Sequence, residues 1–558
     1  MKLRNFLFII LLLFLINPVN GENNLRERVY IQTDKQTYIS GELLWIKFYL
    51  TDETGKPSSF SKIGYVELFD GSVAQVQVKL DIANGIGEGW MELPVTLTTG
   101  NYILTAYTQN MRNEDENVFF SKSIGIINTF KADAVVDADS APDNSTFSTS
   151  ENNVSVMTEK QEYTTRSQGE IHLQGLPENI HSLSVSVAGK DIISNTNNIV
   201  GWKNQLPAIA GVTLKRDFLP EYEGHIISGK YVDISTNQPL AGDLVINSLL
   251  GFAGDQIRLF GGYADNDYNV HFITPRITGT KEMAIANSTI PGKTYRVDIK
   301  SPFATHSEKT LPVLMLNPVW ENQLLQRSVG LQALYSYLAD SMSRVDTTYS
   351  HFQWKASRSY ILSEYTRFST MEEVVIEFIP ILRFNRSGNK YSLSVLLDDN
   401  MSFSTGSVLA LLDGIPITDH GIIFKYSPLL VNRIDVYRES FVFGNQRFEG
   451  MVSLTTYKND YPGLVLDETT NLYKYEGTQV HRYFYAPSYT DDSSRNNRIP
   501  DFRHTLLWMP EVKTGGQTSF SIPFSTSDFT GDFQITVEGI TKDGKVIRGT
   551  SFFKVGKT

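Results

Sequence analysis

Leu44-Trp45-Ile46-Lys47-Phe48-Tyr49-Leu50 is the stretch that decides how the chain reads. Leu44, Ile46, Phe48 and Leu50 form one series, and Trp45, Lys47 and Tyr49 the other. Successive side chains on a strand point to opposite faces, so a period of two predicts a strand with one face in a core. The pattern recurs. Val76, Val78 and Leu80 alternate with Gln77 and Lys79, and Leu183, Val185 and Val187 with Ser184 and Ser186. Phe533, Ile535 and Val537 alternate with Gln534, Thr536 and Glu538. Asp70-Gly71, Asn84-Gly85, Asp413-Gly414 and Asp543-Gly544 punctuate such runs with hairpin-turn chemistry. Many short strands between turns predict a mainly β protein built as a string of immunoglobulin-like sandwiches. The best helical periodicity runs from Trp320 to Met342, where Leu324, Leu325, Val329, Leu331, Leu334 and Leu338 recur and Gly330 interrupts.

The amino terminus has a different grammar. Lys2 and Arg4 precede an unbroken apolar run from Phe6 to Ile16, followed by Val19-Asn20-Gly21. A basic start, a short apolar stretch and a small-residue exit predict a secretory signal peptide over residues 1–21 and a mature chain beginning near Glu22. The run is shorter than the ~20 residues that span a bilayer. The expected location is therefore the periplasm or the outer membrane, with membrane association only through partners. The sequence has no cysteine, which excludes disulfides, thiol catalysis, thiolate metal sites and a lipid-bearing cysteine. Removing Lys2 and Arg4 with the leader takes the formal charge from −11 to −13. That balance argues against a nucleic-acid partner, which calls for a basic patch. About 535 residues after the leader exceed one core, so several domains are expected.

Composition divides the chain further. The polar, proline-bearing run DADSAPDNSTFSTSENN within 131–153 reads as a linker, and SYTDDSSRNNR at 488–498 as a loop. Between them the expected segments are 22–130, 154–221, 222–310, 311–370, 371–463 and 464–558, all sandwiches except the partly helical connecting segment 311–370 and an α+β segment 371–463.

Three of these segments resemble known families. Val29-Tyr-Ile-Gln-Thr-Asp-Lys35, Tyr38, Gly41, Glu42, Trp45 and Phe48, with Gly100-Asn-Tyr-Ile-Leu-Thr-Ala-Tyr-Thr108 and Met111-Arg112-Asn113, make 22–130 resemble the macroglobulin-type (MG2-like) sandwich of α2-macroglobulins. Gly229-Lys230 and Gln238-Pro239-Leu240 make 222–310 similar to a carboxypeptidase-regulatory-like sandwich. Met371-Glu-Glu-Val374, Leu409 to Pro416, Asn432 to Val436, Gly444 and Gly450 to Thr456 make 371–463 resemble the plug of TonB-dependent outer-membrane receptors. The residues that follow are too few for the closed barrel such receptors carry. With Pro500-Asp501-Phe502-Arg503, Trp508 and Phe524 to Asp528 in the tail, the module order resembles exported multidomain proteins of Bacteroidetes. The resemblance implies a non-catalytic binding or scaffolding protein that docks an outer-membrane barrel or receptor through its plug-like segment. An α2-macroglobulin-like, protease-engaging decoy is a second reading, although the thioester cysteine is missing. A glycan-processing or glycan-binding protein is a third, and it would need paired carboxylates in a cleft.

The chemistry-bearing residues are sparse. The histidines lie at 172, 181, 225, 271, 306, 351, 420, 481 and 504, too scattered for a helical zinc motif. Asp265-Asn266-Asp267 lacks the glycine and terminal glutamate of a calcium loop and reads as a polar turn. No Gly-x-Ser-x-Gly elbow occurs. Gly85-Ile-Gly87-Glu-Gly89 reads as turn glycines and not as a phosphate cradle. No catalytic, cofactor-binding or metal residue is therefore assigned. The candidate partner contacts are Asp413 and Gly414, at a hairpin turn, and Arg433 and Asp435, which share one strand face. Arg503 and Trp508 are expected in corner packing, with sugar stacking as the sharper alternative.

Overall fold

A computed structural model describes residues 26–133, 135–136, 152–190, 217–241, 244–254, 256–275, 277–290, 293–342, 354–388, 390–399 and 401–557. The expected signal peptide and most of the expected linker lie outside these residues. The protein is mainly β. Among the described residues, no helix is long and apolar enough to cross a membrane.

The alternating stretch around Lys47 forms Leu43–Asp52, the second strand of an eight-stranded sheet. Glu27–Thr33 and Ile86–Glu92 flank it, and Ala74–Ala83, Ile63–Phe69, Gly100–Tyr107, Phe120–Ile127 and Thr37–Ile39 complete the order. The apolar series behaves as expected: Leu44, Ile46, Phe48 and Leu50 are buried with Val66, Leu68, Leu80 and Leu104 in one core. Gly87 and Gly89 lie inside the strand Ile86–Glu92, which corrects their reading as turn glycines. A Cβ on either would collide with Ile82 or Leu80, so the missing side chains permit close packing. Gly85 alone of the three has positive φ, in the hairpin before that strand.

Strand pairing redraws the expected segments. Ser155–Thr158 and Gln168–Gln174 form a three-stranded sheet with Ser519–Ser525. Ile180–Gly189 lies between Gly531–Thr541 and Thr505–Met509 in the five-stranded sheet that faces it. The segments 154–221 and 464–558, expected as two sandwiches, thus supply one core: Leu183, Val185 and Val187 pack with Phe533, Ile535 and Val537. The strand Thr470–Glu476 leaves that unit altogether and pairs with Thr280–Asn287 in the sandwich of 222–310. Alternation fixes which side chains face a core, but neighbours hundreds of residues apart carry no local mark.

The α+β unit has a five-stranded sheet in the order Arg358–Ile361, Val431–Phe443, Gln446–Thr456, Leu409–Leu412 and Ile415–Ile417. Its first strand comes from the segment expected to be a connection. Leu409–Leu412 runs parallel to Gln446–Thr456. It is apolar throughout because both faces are covered: Ala410 and Leu412 join one core, Leu409 and Leu411 another. The helix Met371–Phe378 opens with a capping box between Thr370 and Glu373. The unit is not self-contained. Leu409 and Leu411 share their cluster with Leu249 and Leu259 of the neighbouring sandwich.

The expected helix is present as Glu321–Met342. Gly330 is the point where it touches the tail, since a Cβ there would lie 2.6 Å from Cβ of Phe502. The glycine that weakens the helical pattern is thus a packing requirement.

Candidate functional site

Parity places Arg433 and Asp435 on one face of Val431–Phe443, and their side chains pair there, Arg433 Nε donating to Asp435 Oδ2 at 2.8 Å. Cross-strand register puts Ser359 and Ser453 on either side of Asp435, and Thr455 opposite Arg433. These residues floor a cleft of about 440 Å³ whose walls include Trp354, Gln256 and Tyr457. Asp435 is at the bottom, its side chain 7% exposed; Arg433 is at the rim, at 39%. Burial pushes the Tyr437 hydroxyl up to about 12, with Asp435 adding to the shift and Arg433 opposing it. The floor is thus a row of hydroxyl, carboxylate and guanidinium groups, able to accept and donate hydrogen bonds to a polar segment of a partner.

Asp413 and Gly414 are placed otherwise, which corrects their assignment as partner contacts. Both have positive φ, 47° and 81°, and join two antiparallel strands as a tight hairpin. The Asp413 carboxylate is buried and accepts from Thr456 N at 2.7 Å, Thr456 Oγ1 at 2.6 Å and Tyr461 N at 2.8 Å. Its own carbonyl accepts from Gly254 N at 2.9 Å. A Cβ on Gly414 would strike the Phe252 carbonyl oxygen. The turn already has a partner, and it is the adjacent sandwich of the same chain.

A second cleft has no counterpart in the sequence reading. Trp45 and Trp90 are direct cross-strand partners. Trp508, Tyr483 and Phe484 join them around a cavity of about 310 Å³. Gln479 ties the passing segment to Trp90 by two backbone bonds, Trp90 N donating at 2.9 Å and Gln479 Nε2 donating to Trp90 O at 2.7 Å. Arg482 lies 4.6 Å over the Trp90 ring. Two carboxylates reach the same ammonium at the cleft: Lys47 Nζ donates to Glu511 at 2.8 Å and Glu88 at 3.3 Å. The signal available in the sequence was an aromatic residue, Trp45, in the series opposite the core. Trp508 does pack in a corner, against Leu43 and Trp45. Arg503 is buried and holds both oxygens of Asp501 at 2.8 and 2.9 Å.

Trp45 and Phe484 also border a smaller cavity of about 80 Å³ beneath the helix Glu321–Met342. There Arg327 Nη2 donates to Glu42 at 3.1 Å and to the Thr37 carbonyl at 3.1 Å, leaving its Nε and Nη1 without a partner. Burial pushes the Glu42 carboxyl up, but Arg327 and Lys35 beside it hold it below the usual carboxylate range. Burial, with Arg327 and Lys35 nearby, drives the His504 imidazole well below its ordinary value, so it is held neutral.

No family model matches the chain, and no curated protein does. Among solved structures, it is similar to Salmonella alpha-2-macroglobulin reacted with methylamine (12% identity, TM-score 0.24, 95% of this chain and 39% of that one). It is similar to native Escherichia coli alpha-2-macroglobulin at 10% identity and TM-score 0.24, over 97% of this chain and 40% of that one. The Yersinia pseudotuberculosis adhesin InvE matches at 11% identity and TM-score 0.14, over 50% of this chain and 61% of that one. The chain spans about two-fifths of the length of the macroglobulins. With likeness at this level, function is read from this chain's own residues.

Proposed function

We propose that this protein is a non-catalytic, exported binding and scaffolding protein of the cell envelope, which docks a partner protein at the Arg433–Asp435 cleft. One observation carries the reading: buried titratable side chains of the first sandwich, Tyr30, Lys47 and Tyr65, serve as cross-ties between units. Tyr30 donates to Glu538 at 2.9 Å, Lys47 to Glu511 at 2.8 Å and Tyr65 to Glu221 at 2.9 Å. Such ties make a frame that holds a docking surface in place. The plug-like resemblance of 371–463 favours an outer-membrane barrel or receptor as the partner.

The test is affinity purification of the tagged full chain from envelope fractions, compared with an Arg433→Glu variant. Recovery of one recurrent outer-membrane protein, lost with the variant, is the expected result. Recovery of proteases instead, or a partner retained undiminished by the variant, overturns the docking assignment.

A further inference from the structure

We propose that the tryptophan-lined cleft between the first sandwich and the tail is a saccharide-binding site. It lies apart from the Arg433–Asp435 cleft, and neither site depends on the other.

A pyranose has an apolar C–H face and a rim of hydroxyls. The first needs an aromatic ring, and the second needs planar groups with fixed acceptors and donors. The cleft supplies both. Trp90 and Tyr483 line it as half-buried and exposed rings, with the more deeply buried Trp508 behind them. Glu88 and Glu511, at 27% and 34% side-chain exposure, bring acceptor oxygens to the same cavity. Their shared donor, Lys47, is fully buried. The two carboxylates are therefore aimed from below, which pre-orders them for hydroxyl contacts at little further entropic cost. Arg482, stacked on one face of Trp90, brings guanidinium N–H groups to the same wall. With His481 counted as neutral, two carboxylates, one ammonium and one guanidinium sum to no net charge, which suits a neutral sugar better than a polyanion or polycation. The volume of about 310 Å³ is at the lower end for small-ligand pockets, the size of a short stretch of glycan. A smaller cavity on the way to Arg327 shares Trp45 and Phe484 as lining residues. A proline-rich peptide also docks on aromatic grooves, but it would leave the paired carboxylates without hydroxyl partners.

The test is titration of the full chain with cellohexaose, chitohexaose, mannohexaose and xylohexaose, read by calorimetry and by tryptophan fluorescence. Three of the six tryptophans line the cleft, so binding there changes the emission. The expected result is saturable binding of at least one hexasaccharide, weakened tenfold or more in Trp90→Ala and in Tyr483→Ala. Tyr483 is 43% exposed, so its variant stays interpretable if Trp90→Ala fails to fold. Silence across all four sugars overturns the proposal. So does binding unchanged in Tyr483→Ala, and so does saturable binding of a proline-rich peptide without any sugar. Partner capture by the Arg433 face is expected to be unchanged in Tyr483→Ala, which separates the two sites.

Discussion

The first sandwich and the α+β unit use the same device, a strand with charged residues at alternate positions, for opposite ends. In the first sandwich the strands Glu27–Thr33, Leu43–Asp52 and Ile63–Phe69 are buried on both faces. Gln32, Lys47 and Glu67 are at most 2% exposed although they oppose the apolar series. Each is capped from outside its own sheet: Gln32 by Ser184, Lys47 by Glu511, and Glu67 by His306 at 2.9 Å. In the α+β unit the corresponding charges, Arg433 and Asp435, pair with each other, and a cleft remains above them. A polar strand face is thus a surface or a seam, depending on what the rest of the chain lays across it. Buried polar seams are stabilised by each group that finds a partner, because an orphaned group costs its desolvation.

The largest test of the seam is Glu221→Ala. Glu221 is 1% exposed and accepts from Tyr65 at 2.9 Å and from Ile226 N at 2.8 Å, and it pairs with His225 Nδ1 at 2.7 Å. Its loss leaves several buried groups unpartnered, and stability should fall by about 3–5 kcal/mol. Urea unfolding checks this; a change below about 1 kcal/mol would mean the seam is not a cross-tie.

Gly414→Val comes next. The positive φ and the Phe252 carbonyl together should cost about 2–4 kcal/mol. Because the obstacle belongs to the neighbouring sandwich, limited proteolysis should open both 222–290 and 371–463. Cleavage confined to 371–463 would restore that segment as an independent unit.

A smaller effect is expected from pH. Burial lowers the His225 imidazole, with Glu221 opposing and Lys79 assisting. The unfolded chain then binds more protons than the folded one on acidification. This contribution to stability is complete above about pH 6.5 and is lost as pH falls through the folded value. Comparing unfolding midpoints at neutral and acid pH, His225→Gln should show a flatter loss than the wild type. An identical slope would remove His225 from the account.

Arg433→Gln should matter least to stability, about 1 kcal/mol or less, since the pair is partly solvated. Its effect should appear in partner capture. A large drop in melting temperature would show that the pair is a seam after all and erase the contrast between the two regions.

Some of this was legible along the chain. The helix 320–342 announced itself by apolar spacing, Leu409–Leu412 by unbroken apolarity, and the shared face of Arg433 and Asp435 by parity. Asp413 was misread because Asp-Gly reports a hairpin and not what the hairpin rests on. Glu88 and Glu511 could not be paired in advance, because the Lys47 that joins them looked like a solvent-facing residue of an amphipathic strand.

The sequence by itself determined the mainly β character, the apolar face of the alternating strands and the Asp-Gly and Asn-Gly turns, because period and φ preferences are local properties of a few residues. Only the tertiary structure decided that 154–190 and 503–557 build one sandwich, that Thr470–Glu476 belongs to another, and which polar faces are sealed. Those outcomes depend on long-range pairing. There, loop closure costs little more for a long connection than for a short one, and burial of the complementary face selects the neighbour.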